Sequence, residues 1–179
     1  MFYIFAAVAF FCGFFVYGIT LKGLITSLFI LLLVACASSD IKAGIVPDLI
    51  LIFIAVLGVI CFLTVEGWSV TGLITHIIGA FCVSVPMLIL ALIIKGAFGG
   101  GDIKLMAAAG LYLGWQYSMA GFMIGMCIAG IYGIYLLAVK RAKARQKVRL
   151  VPFLVYGLAT VSLFGKQIIN ALLNVPLSY

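Results

Sequence analysis

Four acidic residues occur in a chain of 179 that is 67% hydrophobic. One of them, Asp102, closes the run Gly99-Gly100-Gly101-Asp102 between two long apolar stretches. A second, Asp40, stands at the end of another apolar stretch. An ionisable group at the edge of a membrane span is expensive to keep and marks a functional site by default. Two carboxylates held close together cannot both ionise cheaply, so one is an acid while the other is a base. Such a pair can activate a water and protonate the leaving amine in peptide hydrolysis, and its titration belongs to the pair rather than to either residue.

Each aspartate has a plainer explanation. Asp102 could cap the helix that follows it, since Asp is a good N-cap. Asp40 could be a solvated loop residue after Ser38-Ser39. Asp48 follows Pro47 and precedes an apolar run, which suits a helix-capping role better than catalysis. Lys42 and Lys104 each lie two residues from a candidate aspartate and could tune it. Their place at span ends is equally explained by topology. The glycines before Asp102 have no Cβ, so backbone can approach backbone or substrate there. An extended substrate strand could lie along them through main-chain hydrogen bonds. His76, the only histidine, suits a packed, hydrogen-bonded position better than a proton relay.

The elements that would position these residues are membrane helices. Mean hydropathy is +1.41 and only 8% of residues are charged. Stretches of about 20 apolar residues are long enough to cross a bilayer, and a spanning chain must satisfy its backbone internally. The expected fold is all-α, a polytopic helix bundle with six to seven transmembrane segments in a single domain over 1–179. Residues 1–22 form an extra N-terminal apolar segment and 23–173 the core bundle. The segments divide at charges, prolines and glycines: 2–19, 23–38, 49–65, 70–94 with a kink at Pro86, 103–115, 118–139 and 150–173. The segment 103–115 covers only about 20 Å as a helix, less than the hydrocarbon core. It is expected to dip partway or to start deep beside Asp102.

The net charge of +7 does not indicate nucleic acid. Six of the eleven basic residues fall in one loop, Lys140, Arg141, Lys143, Arg145, Lys147 and Arg149. That is the signature of a short cytoplasmic loop. Alternation from it places both 95–102 and 39–48 on the cytoplasmic side. Asp40 and Asp102 are therefore separated by two spans, and an even number returns the chain to the same face. The five cysteines are scattered singly with no Cys-x-x-Cys, which argues against a zinc site or a disulfide framework.

Two blocks carry a resemblance. The first is Gly99-Gly100-Gly101-Asp102-Ile103-Lys104-Leu105-Met106-Ala107-Ala108-Ala109-Gly110, followed by Leu113-Gly114-Trp115. It resembles the Gly-x-Gly-Asp block of the prepilin peptidases. The second, Asp40-Ile41-Lys42-Ala43-Gly44-Ile45-Val46-Pro47-Asp48, is similar to the other half of that family's signature, with Val46 where Ile or Leu is more usual. The basic loop and Val151-Pro152-Phe153 resemble the family's later segment, and the likeness runs from about residue 25 to 165.

The resemblance implies a membrane aspartyl endopeptidase of the bacterial inner membrane. It would cut type IV prepilins and pseudopilins at the cytoplasmic face, with Asp40 and Asp102 as the catalytic pair. Gly99 and Gly101 would be the motif glycines, with Gly100, Lys42, Lys104, Pro47 and Asp48 in support. No metal or organic cofactor is implied. Longer family members carry Cys-x-x-Cys pairs associated with N-methylation, which this chain lacks. It resembles the short form found with tight-adherence (Flp-type) pili, so peptidase activity is expected and methyl transfer is not. Presenilin-like proteases share Gly-x-Gly-Asp but place a tyrosine before the first aspartate, where this chain has Ser39. The competing class is a non-enzymatic membrane scaffold or small transporter component. Substitution separates the classes: a protease needs both carboxylates, whereas a scaffold should tolerate asparagine. Oligomeric state is not legible.

Overall fold

A computed structural model describes residues 13, 16–94, 96–139 and 149–173 of the chain. Among the described residues the regular structure is all helical, with no strand. In chain order the helices are α1 (Leu21–Ala43), α2 (Asp48–Cys61), α3 (Val70–Cys82), α4 (Ser84–Ile93), α5 (Gly100–Leu113), α6 (Trp115–Ala138) and α7 (Val151–Leu173). A π-helical turn, Phe62–Glu66, extends α2.

Among the described residues five stretches are long and apolar enough to cross a membrane: Leu21–Ala43, Asp48–Val65, Val70–Ile93, Trp115–Leu136 and Val151–Asn170. The third of these joins α3 and α4. The chain is thus a polytopic helix bundle. The short segment expected around 103–115 is α5, whose 14 residues reach about 21 Å. Most of the segment expected over 2–19 (residues 2–12, 14 and 15) and all of the basic loop except Arg149 lie outside the described residues.

The kink expected at Pro86 comes with a one-residue interruption three residues earlier, at Val83, between α3 and α4, where the backbone keeps right-handed helical angles (φ −102°, ψ −40°). Proline has no N–H, so the carbonyl four residues before it, that of Cys82, loses its partner and the helix gives way there. The helix is picked up again by the Met87 N–H bonding the Val83 carbonyl at 3.1 Å.

The core lies where α1, α2, α5 and α7 meet. Phe29, Leu33, Ile54, Leu105, Met106, Leu154 and Leu158 are fully buried. The ring of Tyr112 stacks on Phe29 with centroids 4.0 Å apart, and its hydroxyl meets Thr26 Oγ1 at 3.1 Å. Contact between helices is set by small residues, as expected where lipid offers no hydrophobic drive for helix association. A Cβ on Gly110 would come 2.1 Å from the Gly79 carbonyl oxygen, and one on Gly58 would meet the Tyr112 backbone at 2.9 Å. Gly157 sits equally close to the backbone of Gly121. These approaches fix α5 against α2 and α3, and α6 against α7, so the start of α5 has a defined depth. His76 is buried, with Nδ1 2.8 Å from the Leu111 carbonyl oxygen and the ring edge-on to Phe62. That is the packed role expected of it.

Candidate functional site

Asp40 lies within the last turn of α1, not in the connector after it. The polar pair Ser38-Ser39 does not end the helix. It continues to Gly44, whose φ of +68° is the left-handed conformation that terminates helices and that glycine adopts without penalty. The Gly44 N–H bonds the Asp40 carbonyl at 2.8 Å. Ser39 Oγ then donates to the Ile45 carbonyl at 2.9 Å, folding the connector back along α1. This return buries Val46.

Asp102 is positioned from the opposite kind of helix end. Gly99 is the N-cap of α5 and Asp102 is the third residue of the helix, so Asp102 is not itself the cap. Its Oδ2 accepts the Gly99 N–H at 2.9 Å. The bond ties the carboxyl to its own helix start, where N–H groups have no intrahelical partner. The three glycines differ in their surroundings. A Cβ on Gly101 would stand 2.9 Å from Val46 Cγ2, and one on Gly99 would stand 3.1 Å from Asp102 Oδ2. A Cβ on Gly100 would meet nothing within 4 Å.

The two helix ends converge. Asp40 and Asp102, each less than a tenth exposed, line one cavity of about 370 Å³. Gly44, Ile45 and Val46 form one wall, Gly99, Gly100 and Gly101 a second, and Val151 from the start of α7 contributes to a third. The carboxyls are close enough that Asp102 feels the charge of Asp40. Asp40 Oδ2 is buried with no hydrogen-bond partner. A buried, unsatisfied carboxylate oxygen in a cavity of this size is poised for a polar group from outside, such as a water or a substrate.

The supporting residues divide. Asp48 and Lys104 line the rim of the cavity and pair with each other, Lys104 Nζ reaching both Asp48 carboxylate oxygens at 2.8 and 3.0 Å. Asp48 makes no capping bond. Pro47 is the N-cap of α2 and Asp48 its first residue, so the expected capping role gives way to an ion pair. Lys104 meets Asp48 rather than either buried aspartate. Lys42 is exposed on the last turn of α1, and neither it nor Pro47 lines the cavity.

Val46 and Val151, which the blocks carrying the resemblance contain without a role, line the cavity. Arg149, in sequence one charge of the basic loop, reaches the backbone at the end of α1. Among the described residues no three His, Cys, Asp or Glu side chains gather as a metal set. Among the described residues Cys36, Cys61, Cys82 and Cys127 are in no disulfide.

Comparison with known proteins follows the same residues. Residues 27–134 match the family model described as the type IV leader peptidase family. The chain belongs to that family. It is also 30% identical over 165 residues to a protein of Bacillus subtilis (strain 168) named prepilin leader peptidase/N-methyltransferase. The likeness covers 90% of this chain and 64% of that relative, so the chain spans under two thirds of the relative's length. No solved structure matches it. The family match takes in both aspartates and the whole glycine run, and it ends before the basic loop.

Proposed function

We propose that this member of the type IV leader peptidase family is a membrane aspartyl endopeptidase. Its substrates are the leader peptides of type IV prepilins and pseudopilins, of the tight-adherence type, cut at the cytoplasmic face of the bacterial inner membrane. The observation that carries this is the convergence of Asp40 and Asp102, from the ends of helices two spans apart, on one cavity. The named relative supports prepilins as the substrate class.

The chemistry follows from two carboxyls sharing one proton. The ionised carboxyl accepts a proton from a water as its oxygen attacks the scissile carbonyl carbon, while the protonated one donates to the carbonyl oxygen. The tetrahedral intermediate then collapses, the C–N bond breaks, and the amine leaves with a proton returned by the pair. Burial strengthens the coupling, because charges interact more strongly away from water. The space over Gly100 leaves room for an extended chain to approach the start of α5, where backbone N–H groups offer main-chain hydrogen bonds. Methyl transfer to the new terminus is not assigned to this chain.

The test is processing of a co-expressed tight-adherence prepilin, followed by gel shift in cells with no other prepilin peptidase. Wild type should convert the precursor, Asp40→Asn and Asp102→Asn should leave it intact, and Asp48→Asn should still process it. Normal processing by either buried-aspartate variant would rule out the dyad and leave a scaffold or transporter role.

A further inference from the structure

The Gly44 N–H closes the last intrahelical bond of α1 on the Asp40 carbonyl, and the carbonyls that follow, from Ile41 on, have no intrahelical donor. A residue 108 positions from Ile41 reaches both sides of that boundary. Arg149 Nη1 donates to the carbonyls of both Asp40 and Ile41. The guanidinium also runs beside the terminating glycine, with Nη2 3.9 Å from where a Gly44 Cβ would stand. Two residues later the chain enters α7 at Val151, which lines the cavity.

We propose that Arg149 is a positioning residue for the reaction. It clamps the final turn of α1 so that the Asp40 carboxyl is held against Asp102, and it ties that turn to the third wall of the cavity. The inference rests on the aspartate-dyad reading above.

Three physical points support it. Helix ends fray, and Asp40 sits three residues from the end of α1. A catalytic group must be held to within about 0.5 Å of its productive place, and a misplacement of about 1 Å can cost roughly 100-fold. The C-terminus of a helix carries roughly half a negative charge, an unfavourable setting for a carboxylate that a nearby cation offsets. Arg149 supplies that cation and acts electrostatically on the Asp40 carboxyl. Lysine would supply the charge but not the rigid planar donor fork.

The experiment uses the full chain purified in lipid nanodiscs, with a tight-adherence prepilin as substrate. It compares wild type, Arg149→Gln, Arg149→Lys and Asp40→Asn for kcat, KM and melting temperature. Arg149→Gln should lower kcat about 10- to 100-fold, with KM within about twofold and melting little changed. Arg149→Lys should recover part of that loss. Unchanged kcat in Arg149→Gln overturns the proposal. So does a rise in KM alone, which would make Arg149 a substrate contact, or a melting loss that parallels the loss of kcat. Should Arg149→Gln not fold, Arg149→Lys decides: a several-fold lower kcat at unchanged KM and melting supports the clamp, and wild-type kcat ends it. Retained cleavage by Asp40→Asn would instead remove the dyad, and this inference with it. Activity lost in Asp40→Asn but intact in both Arg149 variants would sink the clamp alone.

Discussion

The two aspartates are presented by helix ends of opposite electrical character. Asp102 stands at the start of α5, where unpaired N–H groups and the positive end of the helix dipole suit a carboxylate. Its carboxyl is held by a contact three residues away, the Gly99 N–H. Asp40 stands at the end of α1, where the dipole is negative and the orphan groups are acceptors. No unpaired backbone N–H is at hand to hold a carboxylate there. The structure brings a cation to that end from the far side of the chain, and leaves Asp40 Oδ2 unpartnered. One half of the site is therefore built by neighbours in sequence and the other by tertiary contact. The Asp102 half should survive changes elsewhere in the fold, while the Asp40 half should depend on how α1 and α7 are joined.

The hardest way to break the comparison is to remove either carboxylate charge. Asp40→Asn and Asp102→Asn should each lower cleavage by at least about 100-fold, since general acid–base catalysis contributes that much or more. The loss should be similar in the two variants despite their different supports, because the proton belongs to the pair. Single-turnover cleavage assays on both variants check this. A large loss in one with near-normal turnover in the other would mean that only one aspartate is chemical.

The Asp102 half can be tested through its glycines. Gly101→Ala places a Cβ 2.9 Å from Val46 Cγ2, so one wall must move, at a cost of about 1–3 kcal/mol for overpacking. Adding Val46→Ala removes that methyl and should restore much of the loss. Gly100→Ala meets nothing within 4 Å and should leave melting unchanged. Thermal melting of the three variants against wild type gives the ranking. Equal destabilisation by Gly100→Ala and Gly101→Ala would show that conformational freedom, rather than the fit against Val46, is what the run supplies.

The Asp40 half has its own glycine. Gly44 sits at φ +68°, where a residue with a Cβ costs roughly 1–2 kcal/mol. Gly44→Ala should therefore loosen the last turn of α1 and lower kcat several-fold, while Gly44→Asn, which tolerates that conformation better, should lose less. Steady-state cleavage by the two variants separates conformation from size. A worse result with asparagine would point to crowding of Arg149 instead.

Much of this was legible from sequence because the strongest signals were chemical and topological. The counting of spans put Asp40 and Asp102 on one face, and both line the same cavity. The all-helical bundle and the shortness of α5 followed from apolar run lengths. What was not legible depended on contacts between distant residues or on where a helix ends. Ser39 and Asp40 read as the start of a polar connector, yet backbone bonds carry α1 past them to Gly44. Pro86 announces a kink, but the interruption falls at Val83, beside the Cys82 carbonyl that proline leaves without a donor. Arg149 reads as one of six loop charges, and its bonds to the end of α1 come only from the fold. The pairing of Lys104 with Asp48, 56 residues away, has no sequence signal at all.

That pairing gives the smallest expected effect and the finest test. Asp48 and Lys104 belong one to each half, so their ion pair bridges the two walls at the rim. Both side chains are well exposed, at 66% and 60%, so water and salt screen the attraction and its stabilising contribution is at most about 1 kcal/mol. Asp48→Asn and Lys104→Gln should each change cleavage by about threefold or less, and the double variant should do no worse than the sum. If the pair steadied the cavity, the two single losses would be large and the double no larger than either, the mark of coupled residues. If Asp48 instead met substrate, Asp48→Asn would raise KM while Lys104→Gln left it alone. A double-mutant cycle on kcat and KM distinguishes the three cases, and weak, additive effects would place the catalytic weight on the two buried aspartates alone.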